Sequence, residues 1–139
     1  MNLFKTEKLL GKTVLITQQQ IKRAWLKVKS SKGGSGVDGQ TIFKVEQNLG
    51  NELYKLWNRM ASGSYQPQPV KAVSIPKWDG GKRWLGVPTV IDRDAQQVVK
   101  DVLEQDLERV FHVDSYGYRP NKNAHQAIVM CSRQCWNKA

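Results

Sequence analysis

Apolar residues recur at helical spacing along most of this chain. Ile21, Trp25 and Val28 fall at i, i+4 and i+7, with Lys22, Arg23, Lys27 and Lys29 on the other faces. This spacing predicts a helix over Gln18–Lys29 with Thr17 as its N-cap. A second stripe, Ile42, Leu49, Leu53, Leu56, Trp57 and Met60, predicts a helix over Ile42–Met60 that Gly50 bends or splits and Ser62-Gly63-Ser64 ends. The strongest stripe is Ile91, Ala95, Val98, Val102, Leu107 and Val110, a long helix capped by Thr89 or Asp92. Asn123–Trp136 reads as a last helix with Ala127, Met130 and Cys131 turned inward. Residues 1–17 carry only a weak pattern and are expected to be a lead-in or a short helix.

Between the second and third stripes the period changes. Pro67 and Pro69 force extended backbone at Gln66 and Gln68. Val70–Ile75 then reads as a strand, Trp78–Lys82 as a tight turn, and Arg83–Val87 as the returning strand, stopped by Pro88-Thr89. Ser30–Gly36 is a flexible loop by composition, followed by a turn at Val37–Thr41, and His112–Pro120 is a second loop. The expected class is α+β, with several helices around a small antiparallel hairpin, in one domain over residues 18–139. No internal repeat is present. The last helix reaches Ala139 without a stop signal, which suggests a larger protein.

Charge changes the picture. Twenty-two Lys and Arg against 12 Asp and Glu leave +10 on 139 residues, with a pI near 9.8. Such an excess favours a polyanionic partner. The cations are spread along the chain, as on a folded basic surface rather than a basic tail. Five tryptophans supply flat aromatic surface for core packing or for stacking on bases, core packing being the simpler expectation. No apolar run of about 18 residues exists to span a membrane. The first 12 residues lack the apolar core of a secretory signal. The two cysteines cannot build a disulfide scaffold, and a reducing, cytoplasmic compartment is expected.

Few residues suggest catalysis. Cys131 and Cys135 lie one helical turn apart without neighbouring ligands at zinc spacing, so packing against the core is the simpler reading. His112 and His125 are isolated. Asp92 and Asp94 flank Arg93 at a helix start, where they complement the helix dipole. No phosphate-binding glycine loop, dinucleotide fingerprint or nucleophile elbow occurs. The sharpest local feature is Lys71–Arg83, a hairpin presenting Lys71, Lys77, Lys82 and Arg83. It is either an arm for a phosphate chain or a lysine-edged strand that resists aggregation.

Several ordered blocks resemble the group II intron-encoded reverse transcriptases, the intron maturase family. They are Gly63-Ser64-Tyr65-Gln66-Pro67, Val70–Lys77, Gly80-Gly81-Lys82-Arg83, Leu85-Gly86-Val87-Pro88-Thr89, Asp92-Arg93, Gln96, Ser115–Pro120 and Ala124-His125-Gln126-Ala127. Gly36-Val37-Asp38-Gly39 looks like that family's RT0 segment, and the later blocks like RT1 and RT2. The resemblance covers about residues 20–135. Trp84 departs from it, since that position usually holds proline or a small aliphatic residue.

The resemblance implies the fingers subdomain of an RNA-directed DNA polymerase, with palm and thumb absent. The palm's Tyr-Ala-Asp-Asp turn, which holds two magnesium ions in that family, does not occur in this sequence. No catalytic residue, metal ligand or cofactor is therefore assigned to this chain, magnesium belonging to the full-length enzyme. By the match, Lys77 and Arg83 look like the cations that grip the triphosphate of an incoming deoxynucleotide, with Lys71 nearby. The Gly33–Thr41 loop, including Gly34, Gly36 and Gly39, looks like a lid over the RNA template. Lys82 and Arg119 are further template candidates, a structural ion pair being the other reading of Arg119. Implied partners are template or intron RNA, deoxynucleotides and the absent palm and thumb. A homodimer through the surface those domains would cover is another expectation. The alternatives are a stand-alone RNA-binding module and, more remotely, a DNA-binding structural protein.

One register expectation links sequence to function. If Lys77 and Arg83 reach one triphosphate, both leave the same face of the ribbon. A loop of three or five residues centred on Gly80 pairs them directly, whereas a two-residue turn sends them to opposite faces. Turn statistics favour a two-residue turn at Asp79-Gly80, but function favours the odd-length loop. Lys71 has the same parity as Lys77 and should share its face.

Overall fold

The computed structural model describes residues 15–136. Among them are five helices and one two-stranded antiparallel sheet, an α+β arrangement. The chain divides into two compact units, Met1–Lys100 and Asp101–Ala139, with the boundary inside a helix. Up to residue 14, the expected lead-in lies outside the described residues. Among the described residues no helix is long and apolar enough to cross a membrane.

In the first unit, α1 (Gln18–Ser30) begins with a capping box. The Gln20 N–H donates to Thr17 Oγ1 at 3.2 Å, and the Thr17 N–H donates to Gln20 Oε1 at 2.7 Å. The second apolar stripe is two helices, α2 (Ile42–Glu46) and α3 (Leu49–Ala61). The break falls at Gln47-Asn48 rather than at Gly50. Asn48 leaves helical geometry (φ −131°, ψ 33°) and starts α3. Gly50 then sits in the first turn, where a glycine costs little. α1 packs on α3, and Trp57 Nε1 donates to the Ile16 carbonyl at 2.8 Å. Buried Ile21, Ala24, Trp25, Val28, Val45, Leu53, Leu56 and Met60 form a core that Val90, Ala95 and Val98 of α4 (Val90–Leu107) complete.

β1 (Lys71–Pro76) and β2 (Lys82–Val87) form the hairpin between α3 and α4. Its residues are exposed apart from half-buried Val73 and Val87. In the second unit, α5 (Ala124–Trp136) starts with another capping box. The Gln126 N–H donates to Asn123 Oδ1 at 2.9 Å, and the Asn123 N–H donates to Gln126 Oε1 at 3.1 Å.

Three expectations about burial change. The α4 stripe is buried only as far as Val98. Val102 and Leu107 are exposed, and Val110 lies beyond the helix. Cys131 and Cys135 are both exposed rather than packed in the core. Of the tryptophans, Trp25 is buried and Trp57 half-buried, whereas Trp78, Trp84 and Trp136 are exposed. Helical periodicity identifies an apolar face but not what meets it.

Candidate functional site

The hairpin loop sets the direction of its cations. Lys77 N–H donates to the Gly81 carbonyl at 2.8 Å, and Gly80 N–H donates to the Lys77 carbonyl at 3.2 Å. The loop is therefore Trp78-Asp79-Gly80, an odd-length loop centred on Asp79 rather than Gly80. Gly80 takes the left-handed conformation (φ 79°) that closes it. Asp79 Oδ1 accepts from the Gly81 N–H at 2.9 Å and holds the turn. A single left-handed residue suffices here, whereas the two-residue turn favoured by statistics needs two.

The ladder runs without a bulge from Lys71↔Val87 to Pro76↔Lys82, with Ile75 opposite Arg83. Alternation then puts Lys71, Val73, Ile75 and Lys77 on one face with Arg83, Leu85 and Val87. The other face carries Ala72, Ser74 and Pro76 with Lys82, Trp84 and Gly86. Lys77 and Arg83 thus share a face, and Lys71 joins them. Direct pairing of Lys77 with Arg83 does not occur; they are diagonal neighbours, a relationship that sets residues about 7–8 Å apart and their Cβ atoms somewhat closer. Lys77 also lies over Gly81, where an added Cβ would sit 3.6 Å from Lys77 Cδ. Lys82 points to the opposite face.

Both feet of this hairpin are held by one carboxyl. Asp92 Oδ2 accepts from the Gln68 N–H at 3.2 Å, just before β1, and from the Thr89 hydroxyl at 2.7 Å, just after β2. Asp92 Oδ1 accepts from the Tyr65 hydroxyl, and Thr89 Oγ1 caps α4 by accepting from the Asp92 N–H at 3.1 Å. Burial, and then the bond to Asp92, push the Tyr65 hydroxyl well above the usual tyrosine range. The dipole role expected of Asp92 is thus joined by a tertiary one.

The next residue holds the glycine loop. Arg93 Nη2 donates to the Gly34 carbonyl. Gly36 is buried against the start of α4, where an added Cβ would lie 2.6 Å from Thr89 Cα and 2.7 Å from Thr89 N. Only a residue without Cβ permits that approach. A Cβ added at Gly34 would meet nothing within 4 Å, and Gly39 turns the chain at φ 66°. Asp92 and Arg93 therefore fix the hairpin feet and the glycine loop to one helix start. Sequence reasoning missed this clamp because its contacts to Gln68, Tyr65 and Gly34 span 24 to 59 positions. Its local signs were the Thr89–Asp92 cap spacing and the adjacent Asp-Arg pair.

No protein-family model matches the chain. Protein YkfC of Escherichia coli is 42% identical over 101 residues, 71% of this chain and 26% of YkfC. Group II intron-encoded protein LtrA of Lactococcus lactis subsp. cremoris is 36% identical over 84 residues, 60% of this chain and 14% of LtrA. Intron proteins of Saccharomyces cerevisiae and Schizosaccharomyces pombe are 27–32% identical over 76–86% of the chain. The chain is a relative of group II intron-encoded proteins. It spans about a quarter or less of the length of the curated relatives it matches.

As in the resemblance to intron-encoded proteins, the Gly36–Gly39, Leu85–Thr89 and Asp92-Arg93 blocks are separate in sequence. They meet at the α4 N-terminus. Arg119 belongs to the second unit. Its Nε and Nη2 donate to the two Glu108 carboxyl oxygens, each at 2.9 Å. Its Nη1 donates to the carbonyls of His112 and Ser115 at 2.8 and 2.9 Å. The guanidinium also stacks over Phe111, with a side chain only 9% exposed. These bonds hold the Glu108 carboxyl below the usual carboxylate range. Arg119 thus makes the structural ion pair, fastening the loop between α4 and α5. Among the described residues no three His, Cys, Asp or Glu side chains gather to hold a metal ion.

Proposed function

We propose that this chain is the fingers region of an intron-encoded RNA-directed DNA polymerase. Its hairpin grips the triphosphate of the incoming deoxynucleotide through Lys77 and Arg83, with Lys71 on the same face. Its glycine loop, through Gly34, Gly36 and Gly39, lies over the RNA template. The observation that carries this reading is the shared face of Lys77 and Arg83 on a ribbon whose feet are both fixed by Asp92. Cations held on rigid backbone meet a polyphosphate with little ordering cost. The relatedness to group II intron-encoded proteins supports the same assignment.

Two-metal nucleotidyl transfer needs clustered carboxylates that the described residues do not bring together, so no step is assigned to magnesium here. The role of this chain is to bind and orient. The test is primer extension with this segment joined to a palm and thumb. Arg83→Ala should raise the KM for deoxynucleotide about ten-fold or more, as expected for a lost charge-assisted contact, while leaving template RNA affinity unchanged. The reverse pattern would move Arg83 to the template. The 139-residue chain alone should give no templated product.

A further inference from the structure

The hairpin face opposite Lys77 and Arg83 carries its own candidate chemistry. Trp84 stands there 70% exposed, opposite Ser74 in the ladder. Its neighbours across the ladder are small: Ala72 lies across from Gly86, and Ser74 and Pro76 lie along the partner strand, with Val70 against Gly86 at the far end of the face. Directly across the ladder the indole faces only the small side chain of Ser74. Lys82 is two residues away on the same strand, and so on the same face about 7 Å along it. No acidic residue shares this face, and the hairpin's one acid, Asp79, is engaged with the Gly81 N–H in the loop.

We propose that Trp84 and Lys82 form a stacking site for one unpaired nucleobase of single-stranded RNA, the base lying on the indole and Lys82 meeting an adjacent phosphate. An exposed indole beside a cation matches the repeat of a single strand, which offers a flat apolar ring and then a negative charge. A protein partner fits less well, because the small, partly polar residues around the ring offer little further apolar area. The charge of the whole chain favours the same occupant. The site stands apart from the triphosphate grip, since its residues have the opposite parity.

The test measures anisotropy of a labelled short oligouridine and of an abasic ribose-phosphate chain of equal length, with the full chain. The wild-type protein should prefer the base-bearing strand on the order of ten-fold, the scale of one stacked base. Trp84→Ala should bind both strands equally, at the abasic level, and Trp84→Phe should keep part of the preference. Arg83→Ala should leave the preference intact, which separates this site from the nucleotide grip. Trp78→Ala controls for general aromatic adhesion, because Trp78 is 99% exposed at the loop tip. A preference that survives in Trp84→Ala, or that Trp78→Ala abolishes equally, would overturn the proposal. So would no preference in the wild-type chain.

Discussion

Arg83 lies across the ladder from Ile75, yet it shares a face with Lys77, its diagonal neighbour. Diagonal placement separates the two cations enough to limit their repulsion while leaving both within reach of one polyphosphate. The two should therefore act as a unit. In a double-mutant cycle, Lys77→Ala and Arg83→Ala should each weaken deoxynucleotide affinity by roughly ten-fold. The double variant should lose less than the product of the two. Lys82→Ala, on the other face, should change deoxynucleotide affinity little.

Gly36 and Gly34 make a paired test of the glycine loop. Gly36→Ala drives a Cβ against the Thr89 backbone, which has no flexible end to move aside. It should cost about 1–3 kcal/mol, as overpacking does, and lower the thermal midpoint. Gly34→Ala meets nothing within 4 Å and should be close to neutral. Equal midpoints for the two variants would count against the close approach of this loop to α4.

Asp92→Ala strands the Tyr65 hydroxyl, the Thr89 hydroxyl and the Gln68 N–H together. The expected loss is about 3 kcal/mol, the scale for removing one partner of a charged hydrogen-bond network. Hydrogen exchange should show faster opening at the amides of Gln68, Val70, Thr89 and Val90 than elsewhere in the first unit. Uniform loss of protection would instead mean global destabilisation without a hinge at the hairpin feet.

Asp94 gives a pH signature. It is fully buried, neither carboxyl oxygen has a hydrogen-bond partner among the described residues, and burial pushes its pKa up to about 7 from 3.8. Its folded value lies above its unfolded one, so the folded state binds the proton more tightly. Its stabilising contribution is full below about 3.8 and is lost as pH rises through about 7. Asp94→Asn cannot ionise. Its stability relative to wild type should therefore rise between about pH 4 and pH 7 and level off above that, read as denaturation midpoints across that range. A difference that stays flat with pH would contradict the buried, unpartnered carboxyl.

Much of the fold was legible because its signals are local. Thr17 and Gln20 stand three apart as a capping box, and Ile21, Trp25 and Val28 show the buried face of α1 directly. The prolines and glycines around Lys71–Val87 mark the hairpin. Its loop was misplaced by one residue because the Asp79 side chain and the single left-handed Gly80 decide the turn, and statistics for residue pairs do not carry that. The exposed half of the α4 stripe, at Val102 and Leu107, shows a further limit of periodicity. The hairpin's four cations were visible in the sequence, but Lys77, Arg83 and Lys71 were singled out among them by the resemblance to intron-encoded reverse transcriptases, and their shared face follows from the odd loop length. The Asp92 clamp was not readable, because its partners Tyr65 and Gln68 are brought to it only by tertiary folding.

The central claim is that one face of this hairpin receives a triphosphate, and backbone amide NMR of the chain titrated with dATP and with dAMP tests it most directly. The predicted result is that dATP shifts the amides of Lys71, Lys77 and Arg83 and their ladder neighbours more strongly than dAMP does, and that Arg83→Ala removes the difference. Equal responses to the two nucleotides, or shifts centred on Lys82 and Trp84 instead, would contradict it.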